Sequence, residues 1–286
     1  MKGVPEIATA DRRSARPVLH LSGPKLAQSF EALVAGCEKD GGVERYVKGL
    51  RFKSDVFRDM LAPERIAALD EDGFLGLCAF MASVRRRVGA WLKDSGVERA
   101  RGLLAELLEG AEDTATADAR VARFAQAFPA EGGYRWARDL AAEALHYALP
   151  DRSPLMARWV WDRQANTGVL REIWWGEDVD RTTIDVPDGF DTFAQLRQEL
   201  TGFLATNGVF REVPFYVDLL CARVYADYIA EQGETYLRAD FTAERDAIWY
   251  AWRILGLDGV DPDTGRTRVK RADGRPHVLK GVGPIH

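Results

Sequence analysis

Asp139, Glu143 and His146 are the densest group of side chains able to do chemistry, and their spacing of four and then three residues puts them on one helix face. Carboxylates beside an imidazole are the groups of acid–base catalysis and of metal ligation. Glu143 and His146 form the Glu-x-x-His half of the ligand pattern of di-iron helical bundles, where both side chains reach a shared metal. The other half is missing, because His20, His277 and His286 have no glutamate three positions before them. The expected arrangement is therefore ordinary, with Asp139 and Glu143 on a solvated face supporting Arg135 and Arg138 and His146 bonded inside the core. A metal or acid–base site at Glu143 and His146 is the alternative.

A second candidate is Asp218, inside the apolar run Phe215-Tyr216-Val217-Asp218-Leu219-Leu220. A buried carboxylate without a partner is costly, so Asp218 must pair with an arginine or histidine or open on a cleft. Arg211 and Arg223 are its local candidates, while Arg158 and Arg163 reach it only through tertiary folding. If catalysis is present, His146, Glu143 and Asp218 are the residues expected to carry it.

The third is an aromatic and arginine-rich stretch holding Arg158, Trp159, Trp161, Asp162, Arg163, Asn166, Trp174 and Trp175. Four of the eight tryptophans fall there within 17 residues. Large aromatics beside arginines make recognition surfaces as well as cores. Arg158, Trp161, Asp162, Arg163, Asn166, Trp174 and Trp175 are the expected contacts of a protein partner or small ligand.

The C-terminal stretch carries Arg266, Arg268, Lys270, Arg271, Arg275 and Lys280 against Asp273 alone, enough cations to meet several phosphates or an acidic protein. Leu279-Lys280-Gly281-Val282-Gly283 resembles the hairpin of helix-hairpin-helix DNA-binding motifs, although Pro284-Ile285-His286 stands where that family has its second helix. Leu145-His146-Tyr147-Ala148-Leu149-Pro150-Asp151 is similar to helix ends of helical DNA glycosylases, without the complete hairpin and catalytic aspartate of that family. These resemblances imply a DNA-binding or DNA-repair module, ranked third.

Several classes lose support. There is no GxxxxGK[ST] phosphate loop, GxGxxG turn, HExxH or GxSxG elbow. Cys37, Cys78 and Cys221 are far apart, which indicates neither a disulfide framework nor a zinc knuckle and fits a reducing, cytoplasmic compartment. A net charge of −5 argues against wholesale coating of nucleic acid or anionic membrane. The most apolar window, Phe74 to Val84, is about half of the roughly 20 residues that cross a bilayer and ends in Arg85-Arg86-Arg87, and no secretory signal is expected.

The elements that must position these residues are helices. Leu26, Phe30, Leu33 and Val34 recur at helical spacing, Val43 to Met60 continues the pattern after a break at Gly41-Gly42, and Pro63-Glu64 suits a first turn. A long helix is expected from Phe74 to Lys93, a capped one from Ser95 to Gly110, and two more over 118–128 and 134–149. Ser153-Pro154 predicts a helix through Trp161, and Thr192 caps another. Val213 to Ile229 is apolar almost all round, so it belongs at the centre. Thr242 caps the last helix, closed by Gly256.

The fold expected is mainly α: a multi-helix globular domain with a short extended segment near 181–187 and an irregular C-terminal tail. Residues 1–23 read as a flexible lead-in, 24–257 as the helical domain with a sub-boundary near 110–133, and 258–286 as a basic tail. The sequence specifies no cofactor. It reads first as a cytoplasmic accessory or binding protein, and second as an enzyme or metal-binding domain built on His146. A protein or small-molecule partner is favoured over nucleic acid, and no membrane association is expected.

Overall fold

The computed structural model describes residues 16–130, 133–176, 179–236, 247–261 and 264–279. They form a mainly helical, multi-helix globular fold. In chain order the helices are α1 (Gly23–Glu38), α2 (Val43–Met60), α3 (Pro63–Ile66), α4 (Glu71–Ala79), α5 (Val88–Ser95), α6 (Val97–Leu108), α7 (Ala117–Gln126), α8 (Trp136–Ala148), α9 (Val169–Glu172), α10 (Phe190–Thr206), α11 (Val213–Tyr236) and α12 (Ala247–Ile254). No described helix is long and apolar enough to cross a membrane.

Local chemistry sets many of these boundaries. Ser22 accepts from the Lys25 N–H and Asp70 from the Gly73 N–H, so α1 and α4 begin on side-chain caps. Helix α11 is the hub: it packs on α12, α10, α1, α9 and α2. Helix α8 lies against α2, α7 and α6, and so presents buried faces to several neighbours.

Four expectations are revised. Ser95 closes α5 instead of capping α6, whose cap position is Gly96 with no side-chain hydrogen bond. The helix expected from Phe74 to Lys93 is broken. Its apolar set, Phe74, Leu77, Cys78, Met81, Val84, Val88 and Trp91, is buried on both sides of the break, so the periodicity holds while the backbone turns between Phe80 and Arg87. The turn after α12 packs against this break: a Cβ at Gly256 would overlap the Phe80 carbonyl and φ there is +74°, so the position requires glycine. Residues 153–161 are not helical. The Ser153 carbonyl accepts from His146, and the chain then runs irregularly to a buried Trp161. Helix α10 starts before Thr192, with Gly189 in the cap position. The expected cap Thr242 lies outside the described residues, as do Lys280 to His286, which carry most of the hairpin-like motif.

Where a short extended segment is expected, a turn of 3-10 helix ends at Arg181 and residues 182–188 are irregular, with Ile184 and Val186 buried. The C-terminal segment 264–279 is docked on its own fold. Lys270 N–H donates to the Arg85 carbonyl at 2.9 Å and Thr267 N–H to the His277 carbonyl at 2.9 Å. His277 is 1% exposed, and its Nε2 donates to the Asp72 carbonyl at 2.9 Å, which leaves Nδ1 to accept from the Thr267 hydroxyl at 3.0 Å. Burial holds this imidazole below its ordinary pKa, so it serves as a neutral pin. Gly89 completes the docking, because a Cβ there would collide with the Lys270 carbonyl. At the other end, residues 16–22 join the fold through Ser22 N–H to the Ile173 carbonyl and Trp175 N–H to the His20 carbonyl.

Candidate functional site

Helix α8 carries Asp139, Glu143 and His146 inward, at 3%, 4% and 1% exposure. The solvated face expected of Asp139 and Glu143 is therefore not formed, and the arginines expected beside them are engaged elsewhere, Arg135 with Asp162 and Arg138 with Asp188. Each of the three meets a different partner. Asp139 accepts from Arg158 through its backbone N–H at 3.1 Å and its Nη2 at 2.8 Å. Glu143 Oε2 lies 2.8 Å from Nζ of Lys53, a fully buried lysine of α2 that also donates to the Leu255 carbonyl at 2.9 Å and stands 3.9 Å over the Tyr147 ring. Desolvation drives the Lys53 pKa down and that of Glu143 up, and their mutual attraction opposes both shifts.

His146 and Asp218, far apart in sequence, meet at 2.7 Å through Nε2, while Nδ1 is 2.8 Å from the Ser153 carbonyl. A carbonyl can only accept, so Nδ1 is the donor to Ser153, and the contact of Nε2 with the carboxylate is the second hydrogen bond of the ring. Both ring nitrogens are thus committed within the protein. The structure brings Asp218 to His146 and seats Glu143 on Lys53, and none of the three lines the cavities described below. Among the described residues no group of three or more His, Cys, Asp and Glu side chains is arranged to hold a metal ion.

The aromatic and arginine-rich stretch is used largely by the fold. Trp161 is fully buried and its indole donates to the Val186 carbonyl at 3.0 Å. Asp162 accepts from Arg135 at 2.7 Å and Arg163 pairs with Asp185. Asn166, in the left-handed region at φ 52°, bridges the Thr182 carbonyl and the Ile184 N–H. Trp174 is half-buried with its edge against His20, whereas Trp175 stays 65% exposed.

Solvent-facing chemistry collects elsewhere. A cleft of about 780 Å³ lies between α5, the turn before α8 and the docked C-terminal segment. Arg86, Arg87, Lys93, Lys270 and Arg271 line it against a single carboxylate, Asp94, with Trp91, Trp136 and half-buried Tyr134 as its aromatic wall. Arg271 is held in place by Asp72 at 2.8 Å and Glu71 at 3.4 Å. Arg86, Arg87, Lys93 and Lys270 are exposed and make no ion pair or side-chain hydrogen bond with a described residue. Four unneutralised cations around one recess create a field that favours an anion, and the low-dielectric aromatic wall strengthens it.

A larger cavity of about 1290 Å³ lies on the other side of the C-terminal segment, lined by α2, α12 and residues 257–261 and 266–268. Near it Asp258 accepts from both guanidinium nitrogens of buried Arg85, at 2.7 and 3.0 Å, with Arg268 at 3.0 Å and Arg253 at 3.6 Å. One carboxylate thus serves three arginines, while the cavity as a whole sets Asp40, Glu44, Asp55, Asp258 and Asp261 against Arg45, Lys48, Arg51, Arg266 and Arg268.

The sequence reading passes over this cleft because its walls come from distant segments, and Arg86-Arg87 reads there as the end of an apolar window. The usable signal was that cationic run followed by Trp91, together with Lys270-Arg271. No protein-family model, curated protein or solved structure matches the chain.

Proposed function

We propose that this is a helical binding protein of the reducing cytoplasm whose ligand carries phosphate, held in the cleft between α5 and the docked C-terminal segment. The observation that carries the reading is the set of four exposed cations, Arg86, Arg87, Lys93 and Lys270, without an ion pair among the described residues, around one aromatic-walled recess in a chain of net charge −5. Guanidinium groups suit phosphate through paired donors, while lysines supply point charges. Cys37, Cys78 and Cys221 are buried and form no disulfide among the described residues, which supports the compartment.

Isothermal titration of the full chain with inorganic pyrophosphate at low salt tests this. Binding is expected, and Arg87→Ala/Lys270→Ala is expected to weaken it at least tenfold without changing the helical circular-dichroism signal. Absence of binding at low ionic strength, or an affinity unmoved by the double variant, would reject the proposal.

A second reading, a protein partner seated on Trp175, is favoured by that ring's 65% exposure together with the 74% exposure of Val18.

A further inference from the structure

The C-terminal segment separates two cavities and presents a row of cations between them. Arg266, Arg268 and Lys270 are exposed, while Thr267 between the first pair is half-buried and Val269 between the second is buried. This alternation is that of an extended chain with one edge outward, which places successive cations about 6.6 Å apart at roughly 3.3 Å per residue. Arg266 and Arg268 line the larger cavity, and Lys270 lines the cleft. The row therefore begins in one recess and ends in the other.

Three properties of this surface select among anions. The larger cavity, about 1290 Å³, exceeds the roughly 300–1,000 Å³ usual for a single small ligand, and the charges extend beyond either recess. Each recess also offers an aromatic side chain that is half-buried: Tyr134 in the cleft and Trp252 in the larger cavity, where Trp252 stands edge-on to Tyr46. An acidic peptide would use the cations and leave these rings without a role. Nucleic-acid bases stack on such rings, and they can enter recesses only when they are not paired in a duplex.

We infer that the phosphate-bearing ligand is a single-stranded nucleic acid lying along Arg266, Arg268 and Lys270 from the larger cavity to the cleft. Its phosphates meet the row and Arg86 and Arg87, and its bases stack at Trp252 and Tyr134. This inference rests on the reading of the cleft and extends it to a ligand of several nucleotides.

Fluorescence anisotropy with labelled thymidine oligonucleotides of three and twelve residues, alongside the pyrophosphate titration, tests it. Arg266 suits substitution because it is exposed and makes no ion pair with a described residue. The 12-mer is expected to bind at least tenfold more tightly than the 3-mer. Arg266→Ala is expected to weaken the 12-mer several-fold and to reduce the slope of log affinity against log salt by about 0.7, while leaving pyrophosphate unaffected. Equal affinity for both lengths, a 12-mer indifferent to Arg266→Ala, or equal competition by polyglutamate would overturn the inference. Pyrophosphate binding without a length effect would leave the cleft proposal standing and remove the strand. Failure of pyrophosphate and both oligonucleotides would remove both.

Discussion

Lys53→Met is expected to lower the unfolding free energy by about 3–5 kcal/mol, because it leaves Glu143 buried without its counter-charge. Methionine fills nearly the same space, so the loss comes from electrostatics and from the abandoned Leu255 carbonyl rather than from a cavity. Burial already pushes the Glu143 pKa up, and without Lys53 the carboxyl is expected to be protonated when folded. A group whose pKa is higher folded than unfolded adds stability below its unfolded value, near 4.5, and loses it as pH rises through the folded value. The defect should accordingly be smallest in mild acid and grow toward neutrality. Urea unfolding across that range measures it. Lys53→Met/Glu143→Leu should recover most of the loss, since replacing a buried pair by apolar side chains is often neutral or better. A single variant within about 1 kcal/mol of wild type at pH 7 would contradict the burial of this pair.

Asp258→Ala is expected to be comparably damaging, at about 3–5 kcal/mol, because buried Arg85 then has no carboxylate while Arg253 and Arg268 crowd the same space. Arg85→Met should cost less, because Asp258 keeps Arg268 at 3.0 Å. The asymmetry has a local signature: Asp258 holds Arg268 and Arg85, and the Arg85 carbonyl holds the Lys270 N–H. Releasing them should expose residues 264–279 to limited proteolysis. Equal stabilities for the two variants, or no gain in cleavage, would contradict the role given to Asp258.

Much of the helical framework was legible in the sequence because apolar spacing reports burial directly. Helix α2 has the expected limits, α8 and α11 fall where expected, and α11 is the hub that its all-round apolar character implied. What periodicity cannot report is a break that packs against a distant part of the chain. The turn at Phe80 packs against Gly256, and the loss of helix after Ser153 accompanies the His146 bond to its carbonyl. Pairing across the fold was equally hidden. Asp218 was expected to find an arginine or a histidine, and only tertiary packing selects His146 over Arg211 and Arg223. Lys53 left a trace, since it shares the helical face of Tyr46, Leu50 and Phe57, where a lysine needs a partner. The cleft left less, because α5, Tyr134 and Lys270 come together through long-range docking.

Hydrogen–deuterium exchange of the full chain, with and without a saturating thymidine 12-mer, tests the central claim most directly. Slower exchange is expected in residues 86–94, 133–136 and 266–272, with residues 163–176 around Trp175 unchanged. Protection confined to the Trp175 region, or none in α5 and the C-terminal segment, would contradict the assignment of the cleft as the binding site.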